Sequence, residues 1–140
     1  MCSECEIEKE ESEFSKRTDN GRLASNCKVC KRNYKKAHYQ SNKYEPSERW
    51  RYLLNRAKIR NLDVTLTFEQ FKNMVGQPCA YCGDDTSKNV GSGLDRLNNS
   101  LGYSLDNVVV CCAKCNFGKT DRFSPEEWTV MIKALKEWRS

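Results

Sequence analysis

Eight of the nine cysteines fall into four Cys-x2-Cys pairs: Cys2 and Cys5, Cys27 and Cys30, Cys79 and Cys82, Cys112 and Cys115. A Cys-x2-Cys turn lets two sulfurs converge on one ion, and two such turns complete a tetrahedral shell without histidine. Paired by sequence neighbours, the first two turns are separated by 21 residues and the last two by 29. Each set then supplies four thiolates to one zinc ion (Zn2+). With no coordination position left open, both zincs are expected to be structural. At 140 residues and 38% hydrophobic content, apolar burial alone is too thin to hold the fold, so the metal must carry part of the folding energy. Cys111 is left over. Cys112 keeps the two-residue spacing to Cys115, whereas in a strand Cys111 points the other way and serves as a small buried hydrophobe.

Thiolate ligands require reduced cysteines. No apolar run approaches the ~18 residues of a membrane helix, and the opening MCSECEIEKE is acidic where a signal peptide would be basic and then greasy. The chain therefore reads as a cytoplasmic, intracellular protein with no membrane partner. In that compartment, cysteines two apart are metal ligands far more often than disulfides.

Charge is unevenly spread. From Lys28 to Arg60 there are eleven Lys and Arg against two Glu, while the first thirteen residues hold six Glu and one Lys. A segment so basic repels itself unless a polyanion is near, which points to nucleic acid. Lys28, Lys31, Arg32, Lys35, Lys36, Arg49, Arg51 and Arg56 are the candidate DNA contacts. His38, the one histidine, belongs to the same surface.

The stretch CKVCKRNYKKAHYQSN predicts a basic helix ending near Asn42. Glu45-Pro46 resets the chain, and Trp50, Leu53, Leu54 and Ala57 form a helical apolar stripe from Pro46 to about Arg60. Thr67 with Gln70 makes a capping box for a short helix that Gly76 ends. Ser124, Pro125 and Glu127 start a last helix whose Trp128, Met131, Ile132, Leu135 and Trp138 are expected to pack into the core. The organisation is then an N-terminal zinc motif with its basic helix over 1–45, a helical DNA-binding or connecting segment over 46–76, and a region with the second zinc site over 77–140.

Between the last two knuckles, Leu94 to Leu97 alternate, Asn98, Asn99, Ser100 and Gly102 turn the chain, and Val108 to Val110 form a β-branched run. CAKC then leads into a helix beginning near Asn116. This is a ββα unit, and zinc clamps its ends so that Asp95 and Asn116 approach one another. A carboxylate beside an amide oxygen suits a hard ion such as Mg2+ or Mn2+. Taken singly, Asp95, Asn107 and Asn116 could equally be a turn carboxylate, a turn former and a helix cap.

With the order Asp95-Arg96, Gly102-Tyr103, Asn107 and CxxCN, the segment from Cys79 to Lys119 resembles the HNH, or ββα-metal, endonucleases. The resemblance is dense over roughly the last 60 residues and elsewhere confined to cysteine placement. It implies an α+β fold: a small zinc-stabilised ββα-metal (HNH) nuclease core with an N-terminal four-cysteine zinc motif and helical segments. It implies Asp95 and Asn116 as ligands of a catalytic Mg2+ or Mn2+ and Asn107 as the residue that fixes the loop. Where a histidine normally activates water this sequence has Arg96; in a restriction-enzyme branch of the family a tyrosine takes that part, and Tyr103 matches it. A phenol titrates near pH 10, so it needs neighbouring cations to accept a proton at neutral pH; Arg96 and the metal are those cations. Lys114, Lys119 and Arg122 would hold the substrate backbone. The implied function is cleavage of double-stranded DNA, sequence-specific and by a homodimer; the alternatives are a phage-type nicking or homing endonuclease and a catalytically inactive zinc protein that binds nucleic acid.

Overall fold

The structure is a computed structural model describing Met1–Ser140, and it divides into two compact units, Met1–Asn42 and Lys43–Ser140. In the first unit, strands β1 (Phe14–Lys16) and β2 (Leu23–Cys27) form an antiparallel hairpin, and α1 (Lys28–Asn42) follows β2 directly. The core here is small: Cys2, Phe14 and Cys27 are buried, with Cys5 and Cys30 packed against them. No residue of α1 is buried. Nothing apolar holds this unit beyond one phenylalanine and the cysteine cluster.

The second unit is built from α2 (Pro46–Ile59), α3 (Phe68–Met74), the hairpin β3 (Leu94–Arg96) with β4 (Val108–Val110), α4 (Ala113–Lys119) and α5 (Pro125–Arg139). Its core gathers Leu53, Ala57, Leu66, Phe71, Leu94, Tyr103 and Val108. Trp50 is half-buried on α2 and stacks obliquely on Phe71 at 5.2 Å, while Leu54, expected in the same stripe, is exposed. Both capping boxes form, Thr67 with Gln70 at α3 and Ser124 with Glu127 at α5. Each satisfies two otherwise orphaned backbone donors and so fixes where its helix begins.

The structure departs from expectation at two helices. The helix after the second knuckle begins at Ala113, not near Asn116, because the Cys112 sulfur accepts the Cys115 N–H and caps it from inside the knuckle. In α5 only Trp128 is buried and Ile132 half-buried; Met131, Leu135 and Trp138 are exposed, Trp138 at 82%. The second apolar cluster is limited to the four knuckle cysteines, Cys111, Tyr81, Phe123, Trp128 and Ile132, so one turn of α5 suffices to cover it. Trp128 rests on α4 at Gly118, where an added Cβ would lie 2.4 Å from the indole.

Candidate active site

Two groups of four sulfurs form as the spacing predicts. Cys2, Cys5, Cys27 and Cys30 bring their Sγ atoms within 4.8 Å of one another, as do Cys79, Cys82, Cys112 and Cys115. Four converging thiols with no competing oxygen ligand suit a closed tetrahedral zinc site. At Cys2, backbone N–H donors, that of Cys5 foremost, hold the thiol down to about 6, which favours the thiolate a metal requires. Cys111 is buried at 1% exposure and belongs to neither group; burial pushes its thiol far above the usual range.

The second group sits beside the β3–β4 hairpin. Leu94 pairs with Val110, Asp95 with Val109 and Arg96 with Val108. Successive strand residues face opposite sides, and Leu94, Val108 and Val110 all pack in the core. Asp95 therefore points to the other face, toward α4. There Asp95 Oδ2 accepts a 2.7 Å hydrogen bond from the Tyr81 hydroxyl and pairs at 3.1 Å with the Lys119 ammonium. Burial and then the bond to Asp95 push the Tyr81 phenol well above its ordinary range, so it remains a proton donor. Asn116, one turn before Lys119 on α4, donates its amide N–H to the Leu94 carbonyl at 3.2 Å and is otherwise exposed.

Asp95, Asn116, Lys119 and Tyr81 are thus assembled by three elements: β3, α4 and the Cys79–Cys82 turn. Lys119 was expected to touch DNA backbone from the surface. It is instead 1% exposed and committed to Asp95, because α4 starts three residues earlier and turns its 116/119 face toward the strand. Tyr81 carried no signal in the sequence beyond its position inside a knuckle, and its contact with a residue 14 positions on depends on the hairpin fold.

Arg96 and Tyr103 occupy the opposite face. The guanidinium lies 5.5 Å from the Tyr103 ring centroid and donates to the carbonyls of Asn99 and Leu101. Tyr103 is 7% exposed within the core cluster, and its backbone is stitched to Asp63 and Thr65. Asn107 holds the intervening loop: its amide donates to Asn98 O and Gly102 O and accepts from Asn98 N. All three of its bonds are spent on the backbone, so its part is to shape the loop.

Of the basic residues, Arg32, Lys35 and Lys36 are exposed, Lys31 is half-buried, and Lys28 is exposed with its ammonium donated to Ser12 O at 2.7 Å. Arg51 is exposed and paired with Glu48, and Arg56 is half-buried. Arg49, expected on the DNA-facing surface, is buried at 1% exposure. Its Nε and NH2 donate to Gly91 O and Ser92 O, because the glycine-lined approach to β3 leaves room for a guanidinium, and the cation is spent on backbone carbonyls.

No family model matches the chain. An uncharacterized protein of Acanthamoeba polyphaga mimivirus is 46% identical over 79 residues, which is 56% of this chain and 14% of that protein, so the chain spans a small part of that relative's length. The solved structure of the rare-cutting HNH restriction endonuclease PacI is similar with a TM-score of 0.56 at 22% identity, covering 99% of this chain and 94% of that one. No helix is long and apolar enough to cross a membrane. The chain is an α+β protein with the HNH-like fold of that neighbour and two four-cysteine groups that could bind zinc.

Proposed function

We propose that the chain hydrolyses phosphodiester bonds in double-stranded DNA with a divalent cation, Mg2+ or Mn2+, held by Asp95 and Asn116. The observation that carries this reading is the convergence of β3 and α4 on the face away from the core, where Asp95, Asn116 and Lys119 lie together. The donor set fits a hard cation. Tyr81 and Lys119 engage Oδ2 of Asp95, and Asn116 spends its N–H on Leu94, so Asp95 Oδ1 and the Asn116 carbonyl oxygen are the atoms that would hold it. When bound, the cation supplies charge stabilisation for a phosphate oxygen and orients the scissile group.

The chain's own residues do the rest. Tyr81 and Lys119 fix the carboxylate. Asn107 shapes the Asn98–Gly102 loop. Tyr103, with Arg96 against its ring, is the proposed proton acceptor from attacking water, although it is buried on the face of β3 opposite Asp95. Two active sites are needed to cut both strands, so a homodimer is the form proposed for restriction-like, sequence-specific cleavage. One observation favours a second reading, a zinc protein that binds nucleic acid without cutting it: Lys119 already neutralises Asp95.

Purified protein incubated with supercoiled and linear DNA and Mg2+ or Mn2+ tests this. Cleavage is expected, abolished in Asp95→Ala and Asn116→Ala and reduced ~100-fold or more in Tyr103→Phe, the scale of a lost proton acceptor. Full activity in Tyr103→Phe with a dead Asp95→Ala reassigns the proton acceptor and keeps the nuclease. DNA left intact with both metals overturns it in favour of the silent binder. Linear products arising directly from supercoiled circles mark paired sites, and accumulating nicked circles mark a nicking enzyme.

A further inference from the structure

The basic helix α1 lies in the unit that does not contain Asp95, and the hydrolytic chemistry does not account for it. Its fifteen residues bury nothing, although it carries Val29, Tyr34 and Tyr39 at 41%, 68% and 46% exposure. At 3.6 residues per turn, its five cations Lys28, Lys31, Arg32, Lys35 and Lys36 fall within an arc of about 140°. Tyr39 lies near the middle of that arc. The opposite side carries Cys30, Asn33, Tyr34, Ala37, Gln40 and Ser41 and no Lys or Arg. Lysines on a merely solvated helix need not gather on one side.

A second feature extends the same edge. A cleft of about 330 Å³ between the hairpin and α1 is lined by Lys16, Arg17, Thr18, Asp19, Ala24 and Lys31. Arg17 is held by Asp19 at 3.0 and 2.6 Å, which fixes one cation of the cleft in place. Lys31 belongs both to this cleft and to the α1 arc, so the cationic surface continues from helix to hairpin, interrupted by the Asp19 carboxylate that pairs with Arg17.

We infer that the N-terminal unit is the duplex-docking module of the protein: α1 lies along the DNA major groove with Lys31 and Lys35 on one wall, Arg32 and Lys36 on the other, Tyr39 toward the bases and a backbone phosphate in the Lys16–Arg17–Lys31 cleft. This deepens the nuclease reading and rests on it. A helix roughly 10–12 Å across matches the ~12 Å major groove of B-form DNA. It does not match the deep, narrow groove of duplex RNA, so DNA is the partner the geometry favours. Cations on both flanks position the helix without reading sequence, and the central side chain is left to read it.

The test uses the whole 140-residue chain, zinc-loaded and without added Mg2+, with fluorescence anisotropy on a random-sequence DNA duplex over a range of salt. Lys31→Gln/Lys35→Gln, Arg32→Gln/Lys36→Gln and Lys16→Gln/Arg17→Gln should each flatten the dependence of log Kd on log salt by about 2. Tyr39→Ala should keep the slope and lose the base preference that wild type shows in selection from a randomised duplex pool. Zinc content and far-UV circular dichroism, expected unchanged for these surface positions, certify the fold. If wild type binds duplex DNA and the three double variants keep its slope, α1 does not touch DNA and the inference fails while the nuclease reading stands. Equal affinity for duplex RNA, or an undiminished preference in Tyr39→Ala, overturns the groove placement. A wild type that binds no duplex at all overturns the nuclease reading together with this one.

Discussion

The two four-cysteine groups share one device in two settings. The first has only Phe14 beside its sulfurs, and the helix it launches buries no side chain. The second is packed against Trp128 and Cys111 and lies in a unit that has a further cluster around Phe71. Identical ligand sets therefore carry different burdens. With zinc in both groups, metal binding and folding are expected to coincide in the first unit, whereas the apolar core of the second is expected to persist when the sulfurs are emptied.

Stripping the metal should break that comparison most visibly. With a strong chelator under reducing conditions, the first unit should lose all its ordered structure, read as collapse of the Met1–Asn42 amide resonances, while resonances from the Phe71 cluster stay dispersed. Simultaneous loss of both would mean that the second unit also lacks an independent core. Next in size is Phe71→Ala, which empties a fully buried ring. It should cost about 3–5 kcal/mol in denaturant unfolding of the second unit and leave the first unit's resonances unmoved.

Gly118→Ala addresses the contact between α4 and α5. Its methyl would overlap the Trp128 indole, so a loss of about 1–3 kcal/mol is expected, reported by a shift in tryptophan fluorescence. An unchanged protein would mean that α5 moves aside freely. The smallest effect belongs to Thr67→Ala, which removes one half of a capping box and should cost about 1 kcal/mol, again confined to the second unit.

The legible parts of this molecule were those written in local spacing. Cysteine pairs two apart converge because the turn between them is short, and Thr67 and Ser124 announce their helices because each partner is three residues away. Tyr81, Lys119 and Arg49 were legible in type and not in role. Each is fixed by a contact 14 to 43 positions distant, and nothing in the residues themselves marks a tyrosine as a carboxylate's donor or an arginine as buried. Helical periodicity likewise showed that α5 has an apolar side and did not show how little surface was there to receive it; Trp138 stays in solvent for want of a neighbour. The side on which Tyr103 lies follows from its bridge to Val64 and its backbone bonds to Asp63 and Thr65, contacts about 40 positions away that local alternation does not encode.

The Arg49 guanidinium inserts from α2 into the approach to β3, and at Gly93 an added methyl would fall 2.0 Å from its NH2. The backbone there is also left-handed, with φ +70°, which a side chain would resist. These two positions are consequently locked to one another across 44 residues of sequence. In divergent descendants of this chain they should drift as a couple: a bulkier residue at 93 is admissible only where position 49 has shrunk, and the carboxylate two steps further on inherits whatever slack that exchange creates.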